Sequence, residues 1–493
     1  MNIQKEDRAV PDQTASDSTV RRPSGSDRAP VSVDAGLLSP VWAGTDALRT
    51  LGDEAWVAAM LETEVALARA QASLGVIPAD LAGAIAEGAA RARIDVVELA
   101  AEARGAANPV VVLVRELTAA VAAVDPAAAG YVHLGSTSQD ILDSAAMLLG
   151  ARVLADIRQN LSRVAAALAK LADEHRATPM AARTLAQHAV PTTFGLKAAG
   201  WLDSVLDTVE RVDRTAALLP AQLGGAAGTM AAYQEYAVAT PADRPGHGIE
   251  LAARFAAELG LREPSAPWHS LRVPLNDLGW VLSSVTGTLG KFALDVQGMS
   301  RTEVGEVAEP AAAGRGVSSA MPQKRNPVLA TLIMAAARQL PAQAMILAQS
   351  MVAEDERAPG AWHAEWQPLR EALRLASGAA YTAVELAEGL EVFPERMREN
   401  LALTGGSIVS ERLNVALAPL LGKAEAKKLL AECARRSASG AGSFTEVMEA
   451  RADLVAKLPA GVTVQDLLAP EGYLGAAEQL VDRVLRRHQE NHA

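Results

Sequence analysis

The stretch Leu154–Leu171, LADIRQNLSRVAAALAKL, carries an apolar residue at every third or fourth position. These residues lie on one face of an α-helix, because a helix turns once every 3.6 residues. The same spacing recurs in segments 202–219 and 278–299 and, over a shorter length, in 56–74. The first pattern extends from about Asp140 to about Glu174, which predicts a helix roughly 50 Å long. Helices of this length indicate an all-α fold with a central long-helix bundle.

Composition and length agree with this architecture. The chain has 493 residues, of which 50% are hydrophobic and only 3% aromatic, a mixture that favours closely packed helices over sheets. Its length predicts more than one domain. The predicted division is a disordered N-terminal extension at 1–35, an N-terminal helical domain at 36–125, a central bundle at 126–375 and a C-terminal helical domain at 376–493.

Charge and cysteine content exclude several classes of protein. The formal net charge of −12 argues against a nucleic-acid or anionic-membrane surface. Cys433 is the only cysteine, and no uncharged apolar stretch reaches the length of a membrane span. The polar N-terminus does not resemble a signal peptide, so we expect a cytoplasmic protein. No zinc-ligand spacing or phosphate-binding glycine motif occurs, so we expect no metal and no cofactor.

Three polar blocks interrupt the helices. The first block is HLGSTSQDILDSA, His133–Ala145, whose Thr137 and Asp140 form a capping-box pattern. The second block is RTLAQHAVPTTFGLKAAGW, Arg183–Trp201, in which Pro191 is predicted to start a helix. The hydroxyl and N–H groups of the first block suit an anion, although the residues by themselves favour a plain helix cap. A lone His188 is likewise compatible with a purely structural role.

The third block is GRGVSSAMPQKRNPV, Gly314–Val328. It is predicted to follow a helix that ends around Glu309 and to precede another helix. Asn326 is a favoured N-cap and Pro327 a favoured first helical residue, so a helix start is predicted there. The free N–H groups of such a start, with Lys324 just ahead of them, suit a carboxylate or phosphate. The alternative is a surface loop with ordinary capping.

Together the three blocks resemble the signature regions of the fumarase/aspartase superfamily, and SSAMPQKRNP is the most specific of the three. Within that superfamily the chain most resembles the 3-carboxy-cis,cis-muconate cycloisomerases, over nearly its whole length after about Ala35. The resemblance implies a three-domain all-α subunit that forms a homotetramer. Each active site would then combine blocks from three different subunits.

The resemblance also implies an activity and a set of site residues. It implies an intramolecular lyase that converts a small tricarboxylate, 3-carboxy-cis,cis-muconate, to a carboxymuconolactone in the protocatechuate branch of aromatic catabolism. Ser318 and His188 would be catalytic. The substrate-binding residues would be Ser136, Thr137, Ser138, Gln139, Gln187, Lys324, Asn326 and Arg357.

Two alternatives remain open at this point. One is a fumarate-releasing lyase such as adenylosuccinate lyase, and the other is a non-catalytic structural protein that keeps the bundle. Leu185 stands where many of these lyases carry a His, and Asn108 stands where adenylosuccinate lyases carry one. Both departures speak against adenylosuccinate lyase. Val317 and Gln323 depart from the loop of the cycloisomerases.

Overall fold

The structure is a computed structural model that describes residues 34–316, 320–321, 323–455, 458 and 461–490. The predicted disorder of the N-terminal extension and the predicted role of Ser318 fall outside these residues. The description below concerns the unit that begins at Gly36.

The described residues form nineteen α-helices, three short 3₁₀ helices and four short strands. The helices before the first block are α1 Asp46–Thr50, α2 Asp53–Ser73, α3 Ala79–Arg91, α4 Val96–Ala106 and α5 Val110–Ala122. The middle helices are α6 Ser138–Glu174, α7 Phe194–Ala216, α8 Ala231–Ala237, α9 His247–Leu259, α10 Val273–Met299, α11 Val328–Gln349 and α12 Ala361–Glu388. The last helices are α13 Pro394–Ala402, α14 Ser410–Leu421, α15 Lys423–Ala438, α16 Phe444–Glu449, α17 Ala452–Val455, α18 Val464–Leu468 and α19 Ala477–Glu490. The strands are β1 Pro179–Thr184, β2 Gln187–Thr193, β3 Val307–Ala308 and β4 Glu391–Val392.

The long helices α6, α7, α10, α11 and α12 form the predicted bundle, which confirms the all-α fold. Their apolar faces share one core, in which Leu161, Leu202, Leu282 and Leu373 are fully buried. Because each helix buries its face against a neighbour, tertiary packing rather than intrinsic propensity stabilises helices of this length. None of the described helices is long and apolar enough to cross a membrane.

Glycine allows α10 and α11 to approach closely. A Cβ added at Gly279 would stand 2.8 Å from the Leu347 side chain, and one at Gly290 would stand 2.7 Å from the Cβ of Ala337. Contacts that short are not tolerated in a packed core, so larger residues at these two positions would push the helices apart.

Three predicted boundaries are wrong. The second block does not start a helix at Pro191; it forms the antiparallel β1–β2 hairpin, and α7 starts only at Phe194 with Thr193 as its cap. The β-branched residues Val190, Thr192 and Thr193 favour an extended chain over a helix there. The helix preceding the third block ends at Met299 rather than near Glu309. The helix following that block starts at Val328, with Pro327 rather than Asn326 as its N-cap.

The buried apolar side chains fall into three clusters. One lies in the bundle, a second joins α2–α5 to the start of α6 and to α9, and a third lies among α13–α18. The domain boundaries at 125 and 375 stay a prediction, because these clusters do not by themselves define them.

Candidate active site

The buried carboxylate of Asp140 organises the first block. It lies in the first turn of α6 and accepts the backbone N–H of Thr137 at 3.2 Å, which fixes the start of the helix. Its oxygens are also contacted by Gly224 N–H at 2.9 Å, Gly225 N–H at 2.9 Å, the Tyr233 hydroxyl at 3.1 Å and Nε2 of His269 at 2.8 Å. A carboxylate with this many donors holds the first block rigidly against the loop that begins at Gly224.

The predicted residues Gln139 and Arg357 meet beside this turn. The amide nitrogen of Gln139 donates to the His269 carbonyl at 2.7 Å and to Asp143 at 3.1 Å, while its oxygen accepts from Nε of Arg357 at 3.2 Å. Arg357 also donates to the Ala226 carbonyl at 3.1 Å. Gln139 is fully buried and Arg357 is partly exposed. Gln139 therefore holds the guanidinium of Arg357 in place beside the first block.

A buried ionic cluster supports this end of the bundle, and no sequence pattern indicated it. Arg272, 2% exposed, pairs with Asp143 at 2.6 Å and with Glu365 at 2.6 Å. Burial raises the pKa of Glu365 to about 7, against the opposing hydrogen bond and charge of Arg272. Trp362 donates its indole N–H to Asp143 at 3.0 Å, so the cluster joins the starts of α6, α10 and α12.

His133, the first residue of the first block, is a second feature that the sequence analysis missed. Its Nδ1 lies 2.6 Å from Oε1 of the buried Glu64 on α2. Burial opposes a charge on the ring, but the hydrogen bond and charge of Glu64, aided by Asp140, hold the pKa of His133 above its ordinary value. Glu64 and His133 are separated by 69 residues, so no local sequence pattern predicts their contact.

The second block places its predicted residues on a hairpin. Leu185 and Ala186 form the tip, with φ of 50° and 64°, and Leu185 is 98% exposed. Gln187 is exposed beside the tip, and His188 is partly buried. Burial, followed by the positive charge of Arg183, lowers the pKa of His188, with Glu306 opposing. His188 is therefore a neutral imidazole at neutral pH, a form that can accept a proton.

The third block borders a cavity of about 350 Å³ whose lining includes Arg315, Lys324, Arg325, Asn326 and the carboxylate of Glu309. Lys324 and Asn326 are exposed, and the Asn326 N–H donates to the Gly316 carbonyl at 3.0 Å. Arg315 pairs with Glu385 at 2.7 Å. The described part of the block thus presents cations and an amide to the cavity.

The start of α11 does not offer the free N–H groups that were expected to suit an anion. The N–H groups of Leu329 and Ala330 donate to the Glu309 carboxylate at 3.0 and 2.7 Å. Burial raises the pKa of Glu309, while these backbone hydrogen bonds oppose the rise. A side chain of the protein therefore satisfies the helix terminus.

The three blocks lie at two different ends of the subunit. The first block begins α6, a helix of 37 residues, and the second block follows its far end. At about 1.5 Å per residue these ends are about 55 Å apart. Arg183 of the hairpin pairs at 2.6 Å with Glu306, which precedes the third block by only a few residues. One subunit therefore cannot bring its own first block to its second and third blocks.

The fold is that of a family of lyases. The chain belongs to the lyase family of the fumarase/aspartase superfamily: the model described as "Lyase" matches residues 45–342, and that described as "Adenylosuccinate lyase C-terminus" matches residues 406–484. Its resemblance to the 3-carboxy-cis,cis-muconate cycloisomerases is confirmed as well. The enzyme of that name from Pseudomonas aeruginosa is 43% identical over 87% of this chain and 91% of its own length.

A nitrosuccinate lyase from Streptomyces davaonensis is 57% identical to the chain, covering 92% of this chain and 95% of that protein. Among solved structures, the 3-carboxy-cis,cis-muconate lactonizing enzyme from Pseudomonas putida superposes with a TM-score of 0.84 at 35% identity. That superposition covers 93% of this chain and 100% of the other. The fold and the lyase class are therefore shared with both kinds of enzyme.

Proposed function

We propose that the protein is a lyase that eliminates nitrite from nitrosuccinate and releases fumarate. The observation that carries this proposal is the 57% identity with a nitrosuccinate lyase over nearly the full length of both chains, against 43% with a cycloisomerase over a similar length. The proposal departs from the activity that the sequence motifs alone suggested, although it stays within the same superfamily.

The elimination needs a base and fixed hydrogen-bond donors that stabilise negative charge. A base removes a proton from the carbon beside one carboxylate, and the electron pair moves into that carboxylate to give an aci-carboxylate. The pair then returns to form the carbon–carbon double bond while the C–N bond breaks and nitrite departs with its electrons. Fixed donors aimed at the developing charge are usually the largest catalytic contribution.

The candidate residues suit a dianionic substrate. Arg357 and the hydroxyls of Ser136, Thr137 and Ser138 offer donors at one end of the bundle, and Lys324 and Asn326 offer donors at the other. We assign Ser318 and His188 to proton handling, and Gln187 to substrate contact. A neutral His188 supports this assignment, because only an unprotonated imidazole can accept a proton.

We propose further that the active site is composite and that the protein is a homotetramer. The separation of the first block from the other two along α6 supports this, because only another subunit can supply the missing part. The exposed face of α10 supports it independently. Val273, Trp280 and Leu294 are about half exposed there and recur every seven residues, with Gly287 between them. An apolar stripe with this period is typical of packing against another helix.

A second candidate is the cyclisation of 3-carboxy-cis,cis-muconate. The close superposition on a solved lactonizing enzyme favours it. The chemistry passes through a similar aci-carboxylate, since one carboxylate adds to a double bond and a proton is delivered beside another. The same donors would serve both reactions, so the substrate rather than the site distinguishes them.

The test is to give the purified full-length protein each substrate separately. Nitrite and fumarate should appear from nitrosuccinate in equal amounts, and the diene absorbance of 3-carboxymuconate should fall far more slowly. Rapid loss of the diene with no nitrite release would favour the cycloisomerase. Inactivity with both substrates would contradict both proposals and favour the non-catalytic alternative.

A further inference from the structure

Two buried residues of α2 hold the turn that precedes α6. Gln71 donates its amide to the Leu134 carbonyl at 2.9 Å, and Glu64 contacts the adjacent His133 ring at 2.6 Å. Glu64 and Gln71 are seven residues apart and therefore lie on the same face of the helix. Their buried polar groups point at one short turn, which is the turn that carries Ser136 and Thr137.

The contact fixes the orientation of the His133 ring. Because Nδ1 faces Glu64, Nε2 lies on the opposite edge of the imidazole and is directed away from that carboxylate. The His133 side chain is 19% exposed, whereas that of Glu64 is 1% exposed. The ring therefore has one edge in the protein interior and one edge free to meet a ligand.

The charge balance also points to an imidazolium. The other oxygen of Glu64, Oε2, is buried without a hydrogen-bond partner among the described residues. A buried carboxylate is costly without a counter-charge, and the charged groups acting on the His133 ring are the acids Glu64 and Asp140. Tyr233, packed against the same turn, donates to Asp140. No cation in these contacts competes with His133 for the role of counter-charge.

The backbone at His133 is strained. Its φ of 59° is left-handed, a conformation that costs an L-residue free energy and that clusters at functional sites. The Ser136 N–H donates to the His133 carbonyl at 3.2 Å, which places the ring and the hydroxyls of the first block on a single tight turn.

We propose that His133 is a further catalytic residue, whose Nε2–H donates to an anionic carboxylate or nitro oxygen of the substrate. Glu64 is its positioning residue, acting through Nδ1. The interaction is a charge-assisted hydrogen bond and transfers no proton. The inference rests on the proposed function only in requiring a polycarboxylate substrate.

The experiment measures kcat/KM with nitrosuccinate, and the affinity for fumarate, as functions of pH. The variants are His133→Gln, Glu64→Gln and the control Glu62→Gln, whose carboxylate lies on the surface of the same helix and pairs with Arg152. In the wild type both quantities should fall as the pH rises through the raised pKa of His133, where the imidazolium loses its proton. His133→Gln should lower both by about 10- to 100-fold at neutral pH and abolish that fall. Glu64→Gln should move the fall to lower pH, and Glu62→Gln should leave it unchanged.

A histidine NMR titration supplies a readout that does not depend on turnover. The His133 resonance should titrate at higher pH in the wild type than in Glu64→Gln, and fumarate should shift it further upward. Fumarate affinity and pH dependence that are unchanged in a folded His133→Gln would overturn the proposal, and so would a His133 resonance insensitive to fumarate. If the wild type binds fumarate with the expected pH dependence but releases no nitrite, the proposed function fails while the role of His133 stands.

Discussion

The Glu309 carboxylate accepts the N–H of Ala330 at 2.7 Å, so a side chain from outside α11 caps the start of that helix. The same carboxylate accepts the Leu329 N–H at 3.0 Å. An acidic cap at a helix N-terminus satisfies free donors and complements the helix dipole. The position and direction of α11, and of Lys324 and Asn326 just before it, therefore depend on Glu309.

Glu309→Ala should destabilise the protein by about 1–2 kcal/mol, the usual consequence of losing a helix cap. Urea unfolding of the full-length protein measures the change. Glu303→Ala, which removes an exposed carboxylate from the preceding segment, is the control and should stay close to wild type. Equal stabilities for the two variants would show that Glu309 does not support the helix.

Lys324→Ala should lower kcat/KM by about 10- to 100-fold, because a charged donor to the substrate is lost. Lys428→Ala provides a matched control: Lys428 is 74% exposed on α15, where it lies 3.9 Å from Glu425. Steady-state kinetics with nitrosuccinate measure kcat/KM for both variants. Similar kinetics in both variants would remove Lys324 from the site.

Mixing two impaired variants should restore activity if the sites are composite. Arg357→Ala damages the first-block end and Lys324→Ala the opposite end, so a mixed tetramer contains some sites with both ends intact. Random reassembly of equal amounts should restore about a quarter of wild-type activity. Light scattering should show a tetramer in each sample. No recovery after verified subunit exchange, or a fully active monomer, would contradict the composite site.

Ser318→Ala should reduce kcat by at least about 10²-fold, the usual contribution of a proton-handling group, while fumarate affinity changes little. His188→Ala should be assayed in parallel, since its neutral imidazole is the other candidate base. Near-normal turnover in Ser318→Ala together with a large loss in His188→Ala would transfer the proton-handling role to His188.

Glu365 should make stability depend on pH in a defined direction. Its pKa rises on folding from the ordinary 4.5 to about 7, mainly through burial. The folded protein therefore keeps a proton that the unfolded chain releases. The resulting contribution of Glu365 to the free energy of unfolding is fully present below a pH of about 4.5 and is lost as the pH rises through about 7.

Thermal unfolding across this range tests that dependence. As the pH rises, the Tm of the wild type should fall relative to the Tm of Glu365→Gln. Glu354→Gln, at an exposed glutamate, should follow the wild type throughout. A difference between wild type and Glu365→Gln that is constant with pH would contradict the assignment.

The sequence by itself determined the long helices and the polar blocks. Apolar residues three and four apart encode a helix locally, and α6 extends from Ser138 to Glu174 almost where the pattern predicted it. The blocks were recognisable because their hydroxyls, cations and helix-starting residues are close neighbours in the chain. Gln139 and Arg357, both predicted to bind substrate, contact each other, although Arg357 was found only through the family resemblance.

Only the tertiary structure decided which groups face one another. Glu64 and His133, Arg272 and Glu365, and Glu309 and Ala330 are separated by 21 to 93 residues, so no periodic pattern links them. Their pairing depends on how α2, α6, α10, α11 and α12 pack, and burial then sets their charge by removing water. The length of α6 likewise places the first block far from the second. The physical reason is that hydrophobic periodicity specifies each helix from its own residues. A buried charge or hydrogen bond instead depends on a partner that is distant in sequence and that only the packing of the helices brings close.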